Sequence, residues 1–90
     1  MKIRFNDATE VTVKSITKHH VFGEGSEDYD HVSIETFDEQ SQAVFETKDM
    51  STFTIIRTGF DNVTISGYTM ESISADFDDQ ENRFRIELKK

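Results

Sequence analysis

Apolar side chains recur at every second position through most of the chain, the period of a half-buried strand. Ile3 and Phe5 alternate with Lys2 and Arg4, and Asn6-Asp7 supplies a turn. Val11 and Val13 alternate with Thr12 and Lys14, while Ile16 falls off that phase and predicts a bulge near Ser15. Residues 19–30, with His19, His20, Gly23, Gly25 and several acids, read as a loop. Val32 and Ile34 resume an inward face, with His31, Ser33 and Glu35 outward. Phe53, Ile55 and Ile56 read as a strand buried on both faces, and Val63 and Ile65 follow a turn at Gly59–Asn62. Ile73, Ala75 and Phe77 then point inward between Ser72, Ser74 and Asp76. Beyond an Asp78–Asn82 turn, Phe84, Ile86 and Leu88 face in and Arg83, Arg85, Glu87 and Lys89 face out. This last hairpin is the clearest element of the pattern.

Residues 38–50 admit two readings. Asp38 suits the N-cap of a short helix with Ala43, Val44 and Thr47 on one side. Alternatively, 43–47 is a strand hairpinned to 31–37. Phe37-Asp38-Glu39-Gln40 resembles Phe77-Asp78-Asp79-Gln80, and each is followed by another Phe, at 45 and 84. Shared turn chemistry accounts for this as well as an internal repeat does, because Asp forms turns for local reasons. The expected fold is mainly β: one domain over residues 1–90, an antiparallel meander, roll or barrel-like sheet with at most one short helix around 38–48.

Composition supports the β reading. Ile, Val, Thr, Phe and Tyr number 34 of the 90 residues, while Ala, Leu and Met together number seven. β-Branched and aromatic side chains fit a pleated surface and lose rotamer freedom in a helix. The charge changes the functional picture more. Ten bases against 18 acids give a net charge of −8, the wrong sign for holding a phosphate backbone directly. There is no cysteine, and the longest apolar run is the three residues Ala43–Phe45. Disulfides, thiolate metal sites and thiol nucleophiles are thereby excluded, and no transmembrane helix or signal-peptide core is predicted. The chain therefore reads as a cytosolic or particle-associated product.

The start Met1-Lys2-Ile3-Arg4-Phe5-Asn6-Asp7, the strand through Val11-Thr12-Val13 and the segment Gly67-Tyr68-Thr69-Met70-Glu71-Ser72-Ile73-Ser74 before a closing hairpin resemble small uncharacterised phage and prophage proteins of Gram-positive bacteria. Those proteins commonly carry Asp-Gly where this chain has Asp7-Ala8, and a more obvious helix where it has Gln40–Glu46. The resemblance implies a viral origin and two natural roles: a tail component, or an early protein that disarms a host system. It carries over no catalytic or binding residue.

The residues give little sign of catalysis. His19, His20 and His31 lie near Glu24, Glu27, Asp28 and Asp30, but adjacent histidines of an extended chain point to opposite faces, so only one could join His31 on a metal. Asp76–Asn82 clusters oxygen ligands without the spacing or central glycine of a calcium loop. Gly23-Glu24-Gly25 lacks the third glycine of a phosphate loop, and acids follow it. No serine sits in a nucleophile-elbow pattern. The expectation is a protein without enzyme activity, metal or cofactor.

The acids themselves are patterned. Eight lie between Lys18 and Lys48 and six between Arg57 and Arg83, with no base inside either window. In an up-and-down meander, the turns at Asp7, Asp38-Glu39, Asp61 and Asp78-Asp79-Glu81 would share one rim, seven carboxylates without a cation. A second patch is Phe22 and Tyr29 among Glu24, Glu27, Asp28 and Asp30, because aromatics beside charges often anchor interfaces. Such a surface would steer a basic protein partner. The leading expectation is an inhibitor that docks on a basic nucleic-acid-binding host defence protein, in the manner of acidic anti-CRISPR proteins. The alternative is a structural or assembly module of a phage tail or baseplate, self-associating through an edge strand.

Overall fold

The computed structural model describes residues 1–23 and 27–90. Among these residues, eight strands and one helix follow in chain order: β1 (Lys2–Phe5), β2 (Glu10–Thr12), β3 (Ser15–Val21), β4 (Tyr29–Thr36), α1 (Glu39–Phe45), β5 (Thr52–Ile56), β6 (Val63–Ser66), β7 (Thr69–Phe77) and β8 (Asn82–Lys89). The expected β class is correct, with the one short helix that the sequence allowed around 38–48. The strands form two antiparallel four-stranded sheets, ordered β2-β1-β5-β6 and β3-β4-β8-β7, and neither closes into a barrel.

The chain passes between the sheets three times, and these crossings explain where the sequence pattern broke. At Val13-Lys14, the Val13 N–H donates to Met1 in the first sheet (3.0 Å) and the Lys14 N–H to Glu35 in the second (2.7 Å). Ile16 is off phase with Val11 and Val13 because it belongs to a different sheet, not because of a bulge at Ser15. The irregularity lies elsewhere, between Met70 and Ser72 of β7. Helix α1 makes the second crossing and Gly67-Tyr68 the third, Gly67 with φ +89° where a side chain would be strained.

Of the two readings of 38–50, the helix is the observed one. The Asp38 carboxylate accepts the Ser41 N–H at 2.7 Å, satisfying a donor that a helix start leaves free. The buried face is Gln42 and Phe45, three residues apart, rather than Ala43, which is exposed. The Gln42 Nε2 donates to the carbonyls of Ser74 (2.7 Å) and Arg85 (3.1 Å), so this buried amide ties α1 to β7 and β8. Phe45 packs edge-on against Phe5 at 5.3 Å.

One core joins the layers: Ile3, Phe5, Val11, Val13, Phe53 and Ile65 from the first sheet meet Val32, Ile34, Ile86 and Leu88 from the second, with Phe45, Met50 and Tyr68 filling between them. The inward face assigned to β8 holds, with Phe84, Ile86 and Leu88 at 7%, 0% and 0% exposure. Its neighbour differs. Ala75 and Phe77 have the inward phase but are exposed, Phe77 at 69%, where β7 approaches its turn into β8. Val63 is likewise 39% exposed on the edge strand β6.

Candidate protein-docking surface

The strand registers decide which turns can act together. In the first sheet β1 runs antiparallel to β5 with Phe5 opposite Phe53 and Lys2 opposite Ile56. The Asp7 turn therefore lies at one end of this sheet and the Asp61 turn at the other. In the second sheet Thr36 pairs with Phe84 and Phe77 with Asn82, so the end of β4 and the β7–β8 turn lie at the same end. The β3–β4 connection lies at the opposite end, beyond the Val21–Tyr29 pair. The expected common rim of seven carboxylates is thus divided. Nor is it free of cations: Lys48 sits 2.7 Å from Asp7, and Arg83 sits 2.6 Å from Glu81.

What the second sheet does place at one shared end is the pair of similar tetrapeptides, with β8 lying between the strands that carry them. Phe37 and Phe77 are 61% and 69% exposed, and each is followed by an aspartate that organises its own backbone. Asp38 caps α1, while Asp78 accepts the N–H groups of Gln80 (2.7 Å) and Glu81 (2.8 Å). These backbone donors hold both carboxyls below the usual carboxylate range. Glu39, Asp79 and Asp76 are exposed beside them. Asp76 pairs with Arg85 at 3.2 Å. Phe77 lies edge-on to the buried Phe84, with ring centroids 6.2 Å apart, so the exposed ring is held by a core neighbour. Phe37, Phe77 and Asp76 were not in the expected set; the repeated Phe-Asp-acid-Gln pattern was the signal that could have found the two phenylalanines, and Asp76 lies outside it.

At the other end, β3 and β4 extend further than the expected loop over 19–30 allowed. His19 pairs with His31 and His20 with Asp30 across the two strands. The His19 and His31 rings lie 4.6 Å apart on one face, tilted by 45°, where His31 Nε2 lies 3.0 Å from Glu87. His20 takes the other face, as an extended backbone requires. Its Nδ1 is 2.7 Å from Asp30 and its Nε2 3.3 Å from Asp28. Asp30 and then Asp28 raise the His20 pKa above its ordinary value. Asp28 is held low first by the Gly23 N–H and then by His20, and Asp30 is held low by His20. Of the carboxylates expected to face a partner here, Asp28 and Asp30 are thus already engaged within the chain. Phe22 is 82% exposed and lies edge-on to His20 at 4.8 Å, while Tyr29 is half-buried beneath the Lys89 ammonium at 4.3 Å. Glu27 is exposed, and Glu24 lies outside the described residues.

Asp61 stands apart from both groups, exposed in the β5–β6 turn beside Phe60, whose ring carries the Arg57 guanidinium at 4.3 Å. Among the described residues, no three His, Asp or Glu side chains converge as metal ligands, and no helix is long and apolar enough to cross a membrane. Compared with known protein families, curated proteins and solved structures, the chain gives no match.

Proposed function

We propose that this chain is a small acidic protein-binding domain of phage type that docks on a basic nucleic-acid-binding host protein and excludes the nucleic acid from it. The observation that carries this reading is the end of the second sheet that carries exposed Phe37 and Phe77 with the exposed carboxylates of Asp38, Glu39, Asp78 and Asp79, while Asp76 and Glu81 at the same end are paired with Arg85 and Arg83. Exposed aromatic rings supply apolar contact area, and the surrounding carboxylates supply steering and discrimination against acidic partners. The net charge of −8 favours a cationic protein and disfavours direct contact with DNA or RNA.

The test is competition. A protein that copurifies with this chain from the host should release its bound DNA or RNA as the chain is added, and association should slow steeply as salt rises from about 50 to about 500 mM. Asp79→Lys should weaken capture while leaving the melting temperature nearly unchanged, since its side chain is exposed. Phe77→Ser should weaken capture with a modest loss of melting temperature, since its ring also meets the buried Phe84. Asp78 is a poorer probe because it holds two turn N–H groups. A partner that keeps its nucleic acid, binds independently of salt and proves to be a virion protein would refute this reading. It would favour an assembly module instead, a role to which the open edges of both sheets are suited.

A further inference from the structure

Four strands end their sheets: β2 and β6 in the first, β3 and β7 in the second. Folded proteins usually guard such edges with short strands, charges, prolines or bulges, because unpaired N–H and C=O groups template another chain. β2 and β6 are three and four residues long, and β3 carries Lys18, His19 and His20. β7 is nine residues long, with no lysine, arginine or proline, and its one irregularity at Met70/Ser72 leaves Ser72–Phe77 in regular register. Among the described residues it is the one long edge without a cationic guard.

The hydrogen bonding of β7 shows which groups are open. One Gln42 nitrogen reaches the carbonyls of both Ser74 and Arg85, so these two oxygens turn into the seam between β7 and β8. The Asp78 N–H donates to Glu81 at 3.1 Å, continuing the same alternation into the turn. Ser72, Ser74 and Asp76 therefore spend their backbone groups on β8, whereas Ile73, Ala75 and Phe77 present theirs to the open side.

We infer that β7 takes up a cationic extended segment of the partner as an added strand of the second sheet. The inference rests on the proposed docking of a basic protein and specifies how it is held. Charge selects the occupant. A second copy would bring −8 against −8, whereas a basic segment meets the exposed Glu71 and Asp79 along the strand and its turn, with Asp76 between them already paired with Arg85 at 3.2 Å. Two-residue periodicity selects its pattern: arginines on the face of Ser72, Ser74 and Asp76, and apolar residues on the face of Ile73, Ala75 and Phe77.

The experiment uses a synthetic peptide alternating arginine with valine and a second peptide with the same residues in two blocks. The alternating peptide should bind at least about tenfold more tightly. It should also slow amide exchange at Ile73, Ala75 and Phe77, whose N–H groups are open in the free protein. Ala75→Pro removes an outward N–H without touching the β8 ladder, and should erase that preference with the fold intact. Should this variant fail to fold, N-methylating alternate residues of the peptide probes the same bonds, since one of the two methylation frames should then abolish the preference. Equal binding of both peptides, with no added protection along β7, overturns the inference and leaves the docking proposal standing. Absence of binding by either peptide at low salt overturns both.

Discussion

The first turn contains a backbone strain that a single substitution should relieve. Phe5 and Thr9 are joined by a 2.8 Å bond, and the Ala8 N–H donates to Phe5 at 3.0 Å, so Asn6, Asp7 and Ala8 form a three-residue hairpin loop. In such loops the last residue takes left-handed geometry and is usually glycine. Ala8 occupies it at φ 71°, the one non-glycine residue at positive φ among the described residues. Left-handed backbone costs an L-residue roughly 1–2 kcal/mol. Glycine adds unfolded-state freedom worth roughly 0.4–1 kcal/mol against folding. Ala8→Gly should therefore stabilise the domain by about 0.5–1 kcal/mol, a rise of roughly 2–8 °C in Tm for a chain of this size. Ala75→Gly is the internal control: the residue is exposed, lies within β7 and has ordinary strand geometry. There the same change should cost roughly 0.5–1 kcal/mol. Thermal melts followed by circular dichroism decide the matter. If both variants lose stability equally, the hairpin geometry inferred for Ala8 is wrong.

Two further outcomes are expected. Ile86→Ala removes a side chain with no exposed surface from the centre of β8 and should cost roughly 2–5 kcal/mol in urea unfolding. Arg85→Ala, one position away with its Asp76 partner largely exposed, should cost under about 1 kcal/mol. Asp7 is held at about 2 rather than 3.8, chiefly by the Lys48 ammonium and then by the Thr9 N–H. Because its folded pKa is the lower one, its contribution to stability is present above pH 3.8 and is lost as pH falls through about 2. Carboxyl NMR titration should show this low midpoint, and Lys48→Met should move it upward; an unmoved midpoint would dismiss the ion pair as its cause.

Strand formation, hairpin turns and helix caps depend on neighbouring residues, and these were legible in the chain. Period-2 alternation assigned the inward face of β8, the abundance of β-branched and aromatic residues set the β class, and the Asp78 turn followed from local chemistry. Asp38 was recognisable as a cap, yet whether 43–47 continued as helix or strand depended on what Gln42 and Phe45 could reach. The carbonyls of Ser74 and Arg85 and the ring of Phe5 answer that, and they are distant in sequence.

The candidate surface was less legible for the same reason. Alternation places Phe77 on the face of Ile73 and Ala75, but only the layer above a face determines whether it is buried, and Phe77 stays exposed. A meander would have gathered the acidic turns on one rim. The crossing at Val13-Lys14 and the helix instead divide the strands between two sheets. β1 pairs antiparallel with β5, which sends Asp7 and Asp61 to opposite ends, while Asp38 and Asp78 share one end of the other sheet. The sequence by itself determined which side chains share a strand face and which residues turn the chain. Which faces are covered, which turns are neighbours and which edge stays open were decided by tertiary packing, because each depends on contacts between residues far apart in the chain.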